Sequence, residues 1–245
     1  PANTSPAPTP TPDHSPHTSG NYGNVCPGWN PTPASSTAGW RLIRQRTESL
    51  KCRKGRNVDN QILQAALDYH GRGWSLIPMR MGAGKKPACK WGPYQTNRAD
   101  ESQLSEWFGN GSVFGLAVVF GTVSDGLGAR DFDDMEAYNT WAAENPELAK
   151  TLPTVVTNRG RHVYFRVTGE QEKAIRQALC KPGGKGAIPF EDGELRIGVG
   201  SYAVLPPSPH PAGGQYDWVN PLNDEIPIVD VLRAGFLKGN VGYRE

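Results

Sequence analysis

Two aspartates separated by a single residue, Asp131-Phe132-Asp133, are the residues whose type and spacing first suggest chemistry. On a strand both carboxylates project from one face, because side chains alternate. Side-by-side carboxylates repel, and a divalent cation is the usual remedy. Hard ions such as Mg²⁺ or Mn²⁺ prefer oxygen ligands, and a two-metal site suits phosphoryl transfer. An Asp-x-Asp is also a common solvated turn, here with Asp134 as the N-cap of a following helix, so the pair by itself decides little.

A second cluster adds weight. In Asn158-Arg159-Gly160-Arg161-His162-Val163-Tyr164-Phe165-Arg166-Val167 the alternation is clean. Val163, Phe165 and Val167 face one way, and His162, Tyr164 and Arg166 the other. Arg159 and Arg161 flank a glycine at the strand entrance, where a backbone can approach phosphate closely. A histidine among arginines on a polar strand face is a fair phosphate ligand. The third cluster, Glu194-Leu195-Arg196, again has period two, so Glu194 and Arg196 share a face. Read blandly, that is a surface ion pair worth at most ~1 kcal/mol. Downstream, Pro206-Pro207 stops a strand at Leu205 and stiffens the turn that carries Ser208 and His210.

The elements that must position these residues follow from periodicity. Asn60–His70 reads as a helix with Ile62, Leu63, Ala66 and Tyr69 on one face and Gly71 as its stop. Trp74–Pro78 reads as a short strand, Asp100 and Gln103 as a capping box before a helix, and Phe114–Phe120 as a buried strand. A strand ending in Asp131-Phe132-Asp133 leads into a helix through Met135, Tyr138, Trp141 and Ala142, which Pro146 closes. Strands Thr154–Asn158 and His162–Val167, a helix Gln171–Leu179 and a Gly-rich loop at 183–186 come next. Three short strands, Glu194–Ile197, Tyr202–Leu205 and Gln215–Trp218, finish the domain. The mixed order predicts an α+β fold.

Composition bounds the rest. The 245 residues suffice for one sizeable core, or for two small lobes sharing one cleft. No apolar run approaches the ~20 residues of a membrane span, so a cytoplasmic protein with no membrane partner is expected. Cys26, Cys52, Cys89 and Cys180 are scattered and form no short-spaced pair, which gives zinc no support. Net charge is +2, unevenly spread. Residues 1–40 hold nine prolines and a single charge, Asp13, a composition that cannot offset chain entropy by burial. Residues 41–56 carry seven Lys or Arg against one Glu, a concentrated footprint for nucleic acid. A Pro/Ser/Thr-rich tail over 1–57 and a catalytic domain over 58–245 are therefore expected. A P-loop at Gly84-Lys85 fails, since Lys86 follows where Ser or Thr is needed and Met79 holds the place of the first glycine.

The three clusters, in this order, resemble the bifunctional primase-polymerase domain of the archaeo-eukaryotic primase superfamily, over roughly Asn60 to Trp218. Asp131-Phe132-Asp133 is similar to its metal-binding first motif. Arg159-Gly160-Arg161-His162-Val163-Tyr164-Phe165 is similar to the second, whose histidine contacts nucleotide phosphates. Glu194-Leu195-Arg196 with Tyr202 and Pro206-Pro207-Ser208 is similar to the third. The Pro-Pro-Ser-x-His and Tyr-x-Trp ending and the upstream Lys85-Lys86-Pro87 with Lys90-Trp91 add to the likeness.

The resemblance implies a sheet like an RNA-recognition motif and a smaller α/β lobe, with the active-site cleft between them. It implies two Mg²⁺ or Mn²⁺ ions on Asp131, Asp133 and Glu194, with Asp192 or Glu191 as alternatives to Glu194. Nucleotide contacts would come from His162, Arg161, Arg159, Tyr164, Arg196, Ser208, His210 and Lys86. Template-dependent transfer of NTP or dNTP to a 3′-hydroxyl on single-stranded DNA is the implied activity, with a primer and a helicase or helical accessory domain as partners and a phage, plasmid or mobile element as source. A catalytically inactive nucleic-acid-binding module is the alternative. A glycosyltransferase, which also uses Asp-x-Asp, leaves the Arg-Gly-Arg-His strand unexplained.

Overall fold

The computed structural model describes residues 61–82, 84–110, 115–180, 186–222 and 225–237. The proline-rich tail, the basic segment 41–56, Cys26 and Cys52 lie outside the described residues. Among the described residues, ten strands and five helices form an α+β arrangement around two antiparallel sheets.

Helix α1 (residues 61–71) buries Ile62, Ala66 and Tyr69, the face its 3.6-residue spacing predicts. It runs through Gly71, and Gly73, at φ +85°, makes the turn out of it. Strand β1 (Ser75–Arg80) extends past Pro78. The carbonyl of Pro78 accepts from the Ala88 N–H (2.7 Å). The imino nitrogen faces that same side, so the ladder to the other neighbour loses no donor. After β2 (Lys86–Pro87) comes α2 (Glu101–Phe108), whose N-cap Asp100 accepts from the Gln103 N–H (2.8 Å). Strands β3 (Gly115–Val119) and β9 (Tyr202–Leu205) complete a four-stranded sheet ordered β2-β1-β3-β9. Strands β1 and β3 are almost wholly buried, which matches their continuous apolar runs.

The second sheet carries the three clusters. Its order is β10-β5-β6-β4-β8-β7, with β4 at Leu127–Phe132, β5 at Thr154–Val156, β6 at Arg161–Arg166, β7 at Ala187–Phe190, β8 at Gly193–Ile197 and β10 at Asp217–Asn220. One face packs on α3 (Met135–Glu144), α4 (Pro146–Thr151), α5 (Gly169–Leu179) and the turns at 231–237, through Phe132, Val163, Phe165, Leu195, Trp141 and Phe236. The other face joins the four-stranded sheet, α1 and α2 in a common core through Leu127, Ala129, Val155 and Tyr164.

Several local readings change, among them the last strand, expected over Gln215–Trp218 and found at Asp217–Asn220. Pro146 opens α4 rather than merely closing α3, because Pro at the first helical turn lacks only an N–H that has no partner there. Helix α5 starts at Gly169 behind a capping box formed by Thr168 and Gln171. Strand β7, like β2, is additional. It lies at the sheet edge, where Pro189 leaves no ladder bond missing on its open side.

Candidate active site

Strand register brings the three clusters together. In the antiparallel ladders Asp131 of β4 is the partner of His162 on β6 and of Glu194 on β8. Three residues from distant parts of the chain therefore form one row across three strands. Alternation places all three, with Arg196, on the face turned toward the four-stranded sheet, since Val163, Leu195 and Phe132 fill the opposite core.

The row is electrostatically closed. His162 Nε2 lies 3.3 Å from Asp131 Oδ1, and Arg196 Nε lies 3.2 Å from Asp131 Oδ2. Arg196 Nη2 continues to Glu194 Oε2 at 2.6 Å, while Nη1 donates to the Tyr202 carbonyl (3.2 Å). Burial by itself would raise the Asp131 pKa, but His162 and Arg196 outweigh it and hold the carboxyl well below the usual carboxylate range. His162 is 8% exposed, and its Nδ1 is buried with no hydrogen-bond partner.

Two glycines press the neighbouring strand ends onto β4. A Cβ at Gly193, where φ is +139°, would stand 2.0 Å from the Asp131 carbonyl oxygen, and one at Gly160 would stand 1.8 Å from that of Phe132. Neither position tolerates a side chain without moving the backbone that carries the aspartate. The glycine of the second cluster thus fits a close approach of two strands.

Asp133 differs from its predicted place. Strand β4 ends at Phe132, so alternation stops before Asp133, which lies exposed in the bend leading to α3. Its N–H donates to the Asp192 carbonyl (2.9 Å), while Asp134 caps α3 by accepting from the Ala137 N–H (2.8 Å). Among the described residues no group of three His, Cys, Asp or Glu side chains is gathered to hold a metal ion. The Arg196 guanidinium occupies the space between Asp131 and Glu194.

The predicted nucleotide contacts divide between surface and interior. Arg159 is exposed beside Gly160. Arg161 belongs to the opposite face from His162, with its guanidinium 5.8 Å from the Tyr138 ring of α3. Tyr164 is fully buried under the row, with a hydroxyl that lacks a partner, and burial drives its pKa well above the ordinary tyrosine value. Ser208 is also fully buried, and its hydroxyl accepts from the Leu116 N–H (2.9 Å) and donates to the Leu116 carbonyl (3.2 Å), clamping the turn to β3. Tyr164 therefore supports the row from within the core, whereas Ser208 holds its turn on β3.

Lys86 is exposed on β2, whereas Lys85, the residue before it, turns inward and donates from Nζ to the Tyr216 hydroxyl (2.7 Å). The Tyr216 ring lies between His162 (6.1 Å) and His210 (5.4 Å). Burial and Lys85 both lower the His210 pKa. Lys85 and Tyr216 are thus the side chains that sequence reasoning did not assign. Loop residues lack periodicity, so the choice between adjacent lysines was not readable, although both the tyrosine and the lysine stand within the motifs that carry the resemblance.

Of the two alternative acids, Asp192 has another occupation. Its carboxylate pairs with Arg130 on the helix-facing side of the sheet, away from Asp131. Glu191 is exposed in the same turn.

This arrangement offers a half-buried, ionised carboxylate flanked by a histidine and an arginine, with a second carboxylate beside it. Such a set can balance cations and contact phosphate. No helix among the described residues is long and apolar enough to cross a membrane. A comparison with curated proteins gives no match. The pattern of the family described as bifunctional DNA primase/polymerase, N-terminal, matches residues 66–230, about two thirds of the sequence and the whole of the site just described, and the chain belongs to that family of nucleotidyltransferase-type DNA primase/polymerases.

Proposed function

We propose that the chain is a template-dependent DNA primase/polymerase that transfers a nucleotidyl group from an NTP or dNTP to a 3′-hydroxyl, using Mg²⁺ or Mn²⁺. The observation that carries this reading is the register row of Glu194, Asp131 and His162, crossed by Arg196. It combines carboxylates with phosphate-binding cations on one sheet face.

The residues fit a hard divalent cation in donor chemistry, since carboxylate oxygens are its preferred ligands. Arg196 already stands where positive charge is balanced, touching both Asp131 and Glu194. Asp131 and Glu194 would hold the cation, with Asp133 as a further ligand from the adjoining bend, and Arg196 would then release one carboxylate. Bound Mg²⁺ or Mn²⁺ supplies charge neutralisation on the phosphates and a more acidic 3′-hydroxyl.

The remaining roles belong to the protein. The low pKa of Asp131 keeps it ionised at any physiological pH, so its charge is always available. His162, anchored by Nε2 on Asp131, and Arg196, once freed, would contact the triphosphate as charge-assisted donors. The wall formed by Lys85, Tyr216 and His210 adds positive charge on the side of the four-stranded sheet.

The deciding experiment supplies single-stranded DNA, with and without an annealed primer, and labelled nucleotides with each metal. Metal-dependent incorporation directed by template sequence supports the reading. Tight DNA binding with no incorporation under any of these conditions would replace it with a non-catalytic nucleic-acid-binding module.

A further inference from the structure

Arg130 is a charged side chain where the apolar pattern of β4 calls for none. It is 1% exposed, on the face packed against α3, with its guanidinium between the rings of Phe132 (4.4 Å) and Phe190 (4.5 Å). Burying a cation is costly unless it is paired and hydrogen-bonded, and an apolar side chain of equal length fills such a slot at lower cost. Burial therefore does not account for an arginine here.

Its hydrogen bonds do. Nη1 donates to the Asp131 carbonyl (2.6 Å) and reaches the Glu194 carbonyl at 3.5 Å, while Nη2 donates to the Asp192 carboxylate. Asp192 in turn accepts the Asp133 N–H on its backbone carbonyl (2.9 Å). One ion pair thus touches the backbone of Asp131, Asp133 and Glu194 together. Gly193 leaves room for this, because a Cβ there would lie 3.1 Å from Arg130 Nη1 as well as against the Asp131 carbonyl. The pair sits on the opposite face of the sheet from the carboxylates, so neither member reaches a nucleotide bound to them.

We propose that Arg130 and Asp192 form a positioning pair, which locks the ends of β4 and β8 from behind and so sets the spacing of the three carboxylates for divalent-cation binding. The inference rests on the metal-dependent reading given above. Asp192 is on this view a counter-ion, and Glu194 the acid that faces the metal.

The test uses the full chain and the variants R130M, R130K, D192N and R130M/D192N. Manganese binding is measured without nucleotide or DNA, from the electron paramagnetic resonance signal of free Mn²⁺. Thermal melting reports the fold, and primer extension is titrated with Mn²⁺. R130M and D192N should each weaken Mn²⁺ binding about ten-fold, the size seen when partners behind metal ligands are removed. R130K should recover part of the loss. The double variant should be no worse than the weaker single variant, because both changes break one unit. Extension should need more Mn²⁺ while its saturated rate falls far less.

Unchanged Mn²⁺ affinity in folded R130M overturns the proposal, and so does full additivity in the double variant, which would make Asp192 itself a ligand. If R130M does not fold, R130K and D192N decide by the same criteria. Failure of the underlying reading looks different: wild type and D131A then bind Mn²⁺ equally, and the proposal falls with it.

Discussion

Asp131 and His162 face each other across the β4–β6 ladder, with His162 Nε2 3.3 Å from Asp131 Oδ1, although two helices and a strand intervene between them in the chain. The same aspartate is bound from the other side by Arg196. Its neighbours are thus arranged to keep it charged and oriented.

Removing that carboxylate should stop the reaction. In phosphoryl transfer most of the acceleration is electrostatic, so D131A should lower extension by several orders of magnitude. DNA binding, measured by fluorescence anisotropy, should change little. Substantial extension by a D131A/D133A double variant would remove both residues from the chemistry.

His162 and Arg196 should act on nucleotide affinity. Charge-assisted bonds to phosphate contribute about 1.5–3 kcal/mol each. H162A and R196A are therefore expected to raise the dissociation constant of a dNTP by roughly ten- to a hundred-fold. Isothermal titration with a non-hydrolysable analogue checks this, and equal affinities for wild type and both variants would contradict it.

Gly193 should be intolerant of any side chain. Its φ of +139° and the 2.0 Å approach to the Asp131 carbonyl both oppose a Cβ. G193A should cost at least about 1–3 kcal/mol of stability through backbone strain and should depress extension. Gly71 serves as the control, because a Cβ added there would meet nothing within 4 Å, and G71A should leave the melting temperature the same or higher.

Glu172 on α5 gives a pH signature away from the carboxylate row. It is 8% exposed, its Oε2 has no hydrogen-bond partner, and burial raises its pKa despite the opposing charge of Arg176. A raised carboxyl pKa means that the folded state holds its proton more tightly than the unfolded state. Stability is then lost as pH rises from the unfolded value through the folded one, and the cost persists above both. E172Q should therefore melt higher than wild type at about pH 7–8, with the gap closing toward about pH 4, near the unfolded carboxyl value. A gap independent of pH would show that the carboxyl is not responsible.

The basic segment 41–56 makes a prediction from composition. Each phosphate neutralised contributes about −0.7 to the salt slope of single-stranded DNA binding. Deleting residues 1–57 should weaken binding at low salt and flatten that slope without altering the saturated rate. Identical slopes would reduce the segment to a linker.

The sequence by itself determined what is local. Alternation assigned Val163 and Phe165 to one face of β6 and His162 and Tyr164 to the other, and separated Glu194 and Arg196 from Leu195 on β8. Those assignments need only the two-residue repeat of a strand, which every residue inherits from its own backbone. The order of the three clusters likewise carried the family resemblance. Tertiary structure decided what depends on partners distant in the chain. That Asp131, His162 and Glu194 form one row follows from ladder register, which is set by hydrogen bonds between segments far apart in sequence. Arg130 becomes a core residue only because Phe190 and Asp192 come back to meet it. That Lys85 rather than Lys86 turns inward is not readable from a loop without a period, because its direction is settled by the hydrogen bond to Tyr216, far away in the sequence. Side-chain direction is encoded by the strand, whereas the company a side chain keeps is decided by which strands pair.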